Sequence, residues 1–220
     1  GLALHSLAQA AALVTLDTWP EGLGLLLVLA SVLLTRALHL DGLADWADSL
    51  GGNDRAARLA IMKDPHTGTF GTVALVAVLL AKWIAFTRLA SSDTTLWIAA
   101  AFVASRTVQV QLAVRLPYAR PEGGTGAPFV QGARSRHLAA AVFWAAVLLA
   151  LLLGPAGLAA LAAAAIVGAA FSTSCRRHVG GVTGDLLGAG SEISETLLLL
   201  AFATLGPHLP ALTGWSLLLR

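Results

Sequence analysis

The sequence predicts an all-α polytopic integral membrane protein, a bundle of six clear transmembrane helices with one or two short or weak terminal helices. The chain has 220 residues, of which 57% are hydrophobic and 12% are charged. Its mean hydropathy of +0.78 lies far outside the range of soluble globular domains. Apolar runs recur with about the 20 residues that a spanning helix needs. They are 22–40, 71–90, 94–116, 137–153, 156–173 and 183–205.

Two weaker apolar segments flank these runs, at 2–16 and 209–219. The first is interrupted by a polar stretch with a proline, and the second is short for a full crossing. We expect residues 1–220 to form a single membrane domain. The single cysteine, Cys175, excludes an internal disulfide and any cysteine-rich metal site.

The charged residues predict the orientation. If six runs span, three of the segments between them lie on one side, and these segments with their edges hold ten of the 14 Lys and Arg residues. By the positive-inside rule, this side faces the cytoplasm. Membrane topology alone explains these basic clusters, so they do not indicate a nucleic-acid partner. Nine of the 12 acidic residues lie on the same side, which topology does not explain, and we therefore expect a polar site there from 39–71, 115–136 and 174–195.

Three aspartates directly follow the first apolar run, at Asp41, Asp45 and Asp48. On a helix they fall within about 60° of one another and form one acidic stripe. Carboxylates in this arrangement repel each other unless a cation neutralises them. Oxygen ligands suit a hard divalent cation such as Mg²⁺, and magnesium suggests phosphate chemistry.

The segment 62–71 follows, with Pro65, Gly68 and Gly71. These residues prevent a regular helix and leave backbone N–H groups available for an anion at the start of the next span. A simple turn between helices explains the segment equally well.

A second acidic pair, Asp185 and Glu192, is seven residues apart and shares one helix face with Gly188 between them. Glu192 and Glu195 would lie one to two turns inside a span, where charge indicates a functional site by default. The alternative is a small-residue packing face with acids that reach the interface.

The long loop 116–129 is rich in Gly and Pro, which is typical of a lid or a binding loop. Arg120, with Arg115, Arg134 and Arg136 nearby, could clamp phosphates. Lys82 and Arg106 stand near mid-span, where each needs a carboxylate or a polar cavity as partner. Structural pairing and substrate contact are equally compatible with their positions.

Four ordered segments carry a resemblance that covers residues 39–195. They are 39–48, 61–64 with 68–71, 116–121, and 180–185 with Glu192. In these segments the chain resembles the cobalamin synthase family, the adenosylcobinamide-GDP ribazoletransferases. Ser191 stands where the family has asparagine, and His66 where arginine is common.

The resemblance implies Mg²⁺-dependent transfer of adenosylcobinamide phosphate from adenosylcobinamide-GDP to alpha-ribazole or its 5'-phosphate. GMP is released in this reaction, which belongs to the last steps of cobalamin (vitamin B12) biosynthesis. It also implies a multi-pass protein of the prokaryotic cytoplasmic (inner) membrane, in a lipid bilayer, with its active site facing the cytoplasm. Association with itself or with other enzymes of the corrinoid pathway is compatible with the sequence.

On this basis we expect particular roles for the site residues. One or two Mg²⁺ ions are expected on carboxylates from Asp41, Asp45, Asp48, Asp64, Asp185 and Glu192. The expected catalytic residues are Asp45, Asp185 and Glu192, with Asp185 or Glu192 as general base for the 5'-hydroxyl of ribazole. The expected substrate-binding residues are His39, Lys63, His66, Lys82, Arg106, Arg115, Arg120, Arg134 and Arg177.

Two other function classes stay open. A CDP-alcohol phosphotransferase acting on lipids also carries spaced aspartates on membrane helices, but Ala44 stands where its signature has arginine. A cation-coupled transporter also uses intramembrane acids with Gly-interrupted spans, yet no inverted repeat is visible here and the charges gather at one face.

Overall fold

The computed structural model describes residues 3, 4, 6, 19–91 and 94–205. Within these residues it is all-helical, as predicted, apart from an isolated parallel bridge between Tyr118 and Val182. The weak segment 209–219 and nearly all of 2–16 lie outside the described residues. The helices are α1 (Pro20–Thr35), α2 (Leu38–Ser49), α3 (Arg55–Ile61), α4 (Thr69–Ser91), α5 (Leu96–Arg115), α6 (Ala127–Gly132), α7 (Ser135–Leu153), α8 (Pro155–Val179) and α9 (Gly184–Leu205).

Five of these helices, α4, α5, α7, α8 and α9, are long and apolar enough to cross a membrane, and the bent pair α1–α2 would make a sixth span. Helices α5 and α9 are mostly buried in the centre, whereas α4 and α7 expose most of their surface. Away from the helix ends the exposed side chains are apolar, for example Val76, Leu80, Phe143 and Trp144. Apolar side chains on the outside and buried helices inside are the arrangement expected in lipid.

The first apolar run is not one straight helix. α1 ends at Thr35, α2 begins at Leu38, and the two axes differ by 90°. Arg36 and Ala37 adopt the left-handed region with φ of 51° and 56°, and their N–H groups bond back to carbonyls of α1. Because neither residue is a glycine, this break was not predictable from the sequence. The run 22–40 therefore forms parts of two helices and not the single helix expected from its apolar length.

Helix α2 packs closely on the first turns of α9. A Cβ atom on Gly42 would clash with the backbone carbonyl of Asp185, and one on Gly188 would lie 3.2 Å from Cα of His39. Two glycines therefore allow the backbones of α2 and α9 to touch. This contact places the aspartate stripe of α2, which is helical as predicted, beside the acidic end of α9.

Helix α8 extends to Val179, beyond the predicted end at residue 173. Arg176, Arg177 and His178 therefore belong to its last turn and not to a loop. Basic side chains are favourable there because they face the negative end of the helix dipole. Gly180 then ends the helix with φ of 73°.

A buried ion cluster joins the outer helix α4 to the central helices α5 and α9. Lys82 of α4 contacts Glu192 of α9, and its Nζ lies 2.6 Å from Oε1 of Glu195. Arg106 of α5 places Nη2 3.0 Å from Oε2 of Glu195 and also hydrogen-bonds Ser191. Two cations balance two carboxylates, which removes most of the cost of buried charge. The cluster fixes the depth and rotation of α9 against α4 and α5.

Lys82→Met should destabilise the protein because it leaves two buried carboxylates with Arg106 alone. Breaking a buried ion pair from one side costs about 3–5 kcal/mol. We expect an apparent Tm in detergent that is lower by at least about 5 °C. The double variant Lys82→Met/Glu192→Gln removes one charge of each sign and should recover at least half of this loss. Equal Tm values for the single and double variants would contradict a role for charge balance.

Gly42→Ala should also destabilise the fold, because the added methyl group meets the backbone of α9. Overpacking of this kind costs about 1–3 kcal/mol. The matched control is Gly132→Ala, since a Cβ atom on Gly132 has nothing within 4 Å. Thermal unfolding should show a lower Tm for Gly42→Ala than for Gly132→Ala. An unchanged Tm in both variants would show that the contact between α2 and α9 can relax.

Candidate active site

Polar residues from distant segments meet where α2 contacts the first turn of α9. The loop 116–126 is tied to the segment before α9 by two backbone hydrogen bonds. Ala119 N–H donates to the carbonyl of Val182 at 2.8 Å, and Val182 N–H donates to the carbonyl of Pro117 at 2.9 Å. This pairing carries Arg120 to the N-terminal end of α9.

Arg120 forms an ion pair with Asp185. Its Nη2 lies 2.9 Å from Oδ2 of Asp185, and the same nitrogen is 3.3 Å from the carbonyl oxygen of Met62. The Thr183 hydroxyl donates to the same carboxylate oxygen at 3.2 Å. The Nε of Arg120 is buried and has no partner among the described residues. One guanidinium thus links the loop, the turn after α3 and α9.

The carboxylates of Asp41, Asp45, Asp48 and Asp185 form what we call the carboxylate wall. Half-buried Asp45 is at its centre and interacts electrostatically with the other three carboxylates and with Arg120. Like charges at close range repel strongly where water is partly excluded. Because the nearby guanidinium is paired with Asp185, the wall carries an excess of negative charge.

Asp48 also connects the wall to the start of α4 through hydrogen bonds to the backbone. Its Oδ2 accepts a hydrogen bond from Gly68 N–H at 2.7 Å, and its Oδ1 accepts one from Gly71 N–H at 2.8 Å. These donors lie at the N-terminal end of α4, just before the helix and in its first turn, where backbone N–H groups have no partner within the helix. The sequence predicted free N–H groups for an anion at this position, and the anion that the structure places there is Asp48.

The wall fits a magnesium ion that is shared with a substrate. Among residues 19–91 and 94–205, no three His, Cys, Asp or Glu side chains converge as in a closed metal cage. Mg²⁺ typically keeps several waters and binds one or two protein carboxylates plus substrate phosphates. Asp41 and Asp45 offer carboxylates of this kind on an open face, whereas both oxygens of Asp48 already accept N–H groups.

The turn after α3 carries three of the expected site residues. Lys63 forms an ion pair with Glu122, and Asp64 accepts hydrogen bonds from the backbone N–H of His66 at 2.9 Å and from its ring Nδ1 at 2.7 Å. The backbone bond, followed by the ring bond, holds the pKa of Asp64 below its usual range. All these side chains are exposed, and the Lys63 pair connects the turn to the loop of Arg120.

The other expected residues divide into two groups. Lys82, Arg106 and Glu192 belong to the buried ion cluster, so the structure shows structural pairing for the two cations. Arg115, Arg134 and Arg177 are exposed. Their predicted contacts with substrate stay predictions.

His39 lies on α2 beside Asp41 and pairs with a residue that sequence reasoning missed. The Nε2 of His39 is 2.7 Å from Nε2 of Gln109 on α5. Thr183 and Glu122, which hold Asp185 and Lys63, were missed as well. Gln109 could have been found as a polar residue in an apolar helix, one turn after Arg106. The other two carried no comparable signal.

Comparison with known proteins gives a consistent result. The family model described as cobalamin-5-phosphate synthase matches residues 1–203. An adenosylcobinamide-GDP ribazoletransferase of Chlorobium phaeobacteroides (strain BS1) is 45% identical over 197 residues, covering 87% of this chain and 79% of that protein. The protein of the same name from Syntrophobacter fumaroxidans is 47% identical over 174 residues, covering 79% and 70%.

A third protein of that name, from Chlorobium chlorochromatii, is 44% identical over 213 residues, covering 93% of this chain and 83% of its own length. No solved structure matches the chain. The match over nearly the whole chain agrees with the resemblance seen in four sequence segments. The chain belongs to the cobalamin-5-phosphate synthase family.

Proposed function

We propose that the chain transfers adenosylcobinamide phosphate from adenosylcobinamide-GDP to alpha-ribazole or its 5'-phosphate and releases GMP. The observation that carries the proposal is the carboxylate wall beside Arg120 at one end of the helix bundle. Relatives of this chain are named for the same reaction. Both substrates are taken from those names. We place the site on the cytoplasmic side because the basic residues cluster around it.

The reaction is a displacement at phosphorus. An oxygen of the acceptor forms a bond to the phosphorus next to the cobinamide, the bond from that phosphorus to the oxygen of the GMP phosphate breaks, and the acceptor's proton goes to a base. Such a step needs charge neutralisation and in-line positioning more than covalent participation by the protein. Mg²⁺, when bound, would neutralise charge on the diphosphate.

Asp41 and Asp45 are the residues that would hold this ion, because Asp48 and Asp185 already accept hydrogen bonds, whereas these two carboxylates accept none from the described residues. Arg120 lies beside the wall, where its positive charge would neutralise a phosphate. Lys63 is the second cation at the same end, and its exposed pairing with Glu122 can be exchanged for a phosphate at little cost.

Asp185 is the better of the two candidate bases. It is partly exposed and belongs to the wall, whereas Glu192 is buried against Lys82. A base must reach the proton that it abstracts. The buried position of Glu192 therefore argues against its expected roles as base and as metal ligand. It supports a structural role in holding α9 in place.

The acceptor hydroxyl needs a correction. The family is described as a cobalamin-5-phosphate synthase, and a product with a 5-phosphate cannot have been joined through that same oxygen. The 5'-hydroxyl assigned from the sequence is therefore replaced in this proposal by another hydroxyl of the ribose.

Membership in the cobalamin-5-phosphate synthase family favours this reaction over the two alternatives, a CDP-alcohol phosphotransferase and a cation-coupled transporter. The buried acids also argue against a cation transporter, because Glu192 and Glu195 are already paired with Lys82 and Arg106. A transport site would need acids that are open to an ion. We therefore retain a single proposed function.

Asp45→Asn and Asp185→Asn should each lower kcat/KM for GMP release by about 100-fold or more, because they remove a metal-binding or proton-accepting oxygen. Chelation of divalent cations with EDTA should abolish GMP release by the unaltered enzyme, and added Mg²⁺ should restore it. The control is Glu21→Gln, an exposed acid on the first turn of α1, for which activity should stay within about twofold. Activity of Asp45→Asn within a factor of a few at saturating Mg²⁺ would contradict the metal role.

A further inference from the structure

A cleft of about 370 Å³ opens beside the carboxylate wall, between α2, α5, α6 and α9. We call it the nucleoside cleft. Its lining includes His39 and Asp41 of α2, Gln109 of α5, Phe129 of α6 and Asp185 of α9. The volume is within the range of about 300–1,000 Å³ that small-molecule sites occupy, near its lower end. A corrinoid is far larger than this, so only a smaller molecule or part of a molecule can be enclosed.

Gln109 faces the imidazole of His39 with its amide group, and the two Nε2 atoms are 2.7 Å apart. An amide nitrogen carries two N–H groups and cannot accept a hydrogen bond. In the His39 tautomer that accepts this bond on Nε2, the ring proton is on Nδ1. This Nδ1 is buried and has no hydrogen-bond partner among the described residues. A buried donor without a partner is costly, and a ligand with an acceptor atom would satisfy it.

The charge of the lining determines what kind of ligand fits. The lining has two carboxylates, Asp41 and Asp185, and no Lys or Arg among its described residues. The lining therefore offers no cationic side chain to an anionic group, whereas hydroxyl groups could donate to these carboxylates. Phe129, which is 52% exposed, offers an aromatic face for a planar ring.

We propose that the nucleoside cleft binds the nucleoside part of the acceptor. The planar base accepts a hydrogen bond from Nδ1 of His39 through a ring nitrogen and stacks on Phe129. The ribose hydroxyls face Asp41 and Asp185, so the attacking hydroxyl lies next to the proposed base. This inference rests on the proposed function and adds the location and recognition of one substrate.

The test compares two acceptors that differ in one atom: alpha-ribazole, whose benzimidazole has a free ring nitrogen, and the matching indole riboside, where this nitrogen is CH. With the unaltered enzyme in detergent, kcat/KM for GMP release should be about 10-fold lower for the indole riboside. In His39→Leu the ratio should fall to about 1. Because each ratio is measured within one variant, partial loss of folded protein does not affect it.

Phe129→Ala provides a second variant at an exposed position that should fold normally. It should raise KM for both ribosides by about 10-fold through loss of stacking. The KM for adenosylcobinamide-GDP should stay within about twofold in both variants.

An unchanged ratio in His39→Leu, or a rise in the KM of adenosylcobinamide-GDP in place of the acceptor KM, would overturn the assignment of the cleft and leave the proposed reaction intact. No GMP release by the unaltered enzyme with either acceptor would contradict the proposed function, and the nucleoside cleft with it.

Discussion

The buried ion cluster of Lys82, Arg106, Glu192 and Glu195 sets the position of α9, and the site depends on that position. In lipid a charged side chain is tolerated only with a partner, so the cluster permits few arrangements of α4, α5 and α9. Asp185 lies two turns before Glu192 on the same helix. The ion cluster therefore sets the position of Asp185 at the end of the bundle, although the cluster takes no part in the proposed chemistry.

The second constraint is the 90° turn between α1 and α2. A straight continuation would carry the three aspartates of α2 along the axis of α1. The turn instead lays α2 on α9, where Gly42 and Gly188 allow the two backbones to touch. Two residues in the left-handed region are unfavourable without glycine, by about 1–2 kcal/mol each. The packing of α2 against α9 offsets this cost, and the bend in turn allows this packing, which brings the carboxylates of the wall together.

Hydropathy predicted the spans well because the length of an apolar run is a local property. The bend at Arg36 was not predictable, since it depends on distant packing and not on a glycine or proline. The acidic stripe of Asp41, Asp45 and Asp48 was also predictable, because it follows from helical spacing. The pairing of Glu192 with Lys82 and of His39 with Gln109 joins residues about 70 or more positions apart, and a single sequence gives no measure of such contacts.

The proposed mechanism requires that the carboxylate wall hold a divalent cation on the diphosphate of the donor. Mn²⁺ can replace Mg²⁺ as a paramagnetic probe, and electron–nuclear double resonance then reports phosphorus nuclei bonded through oxygen to the metal. We expect a strong phosphorus coupling when adenosylcobinamide-GDP is added, and weaker Mn²⁺ binding in Asp45→Asn than in Glu21→Gln. Equal Mn²⁺ binding in these two variants, or no phosphorus coupling with the donor bound, would contradict it.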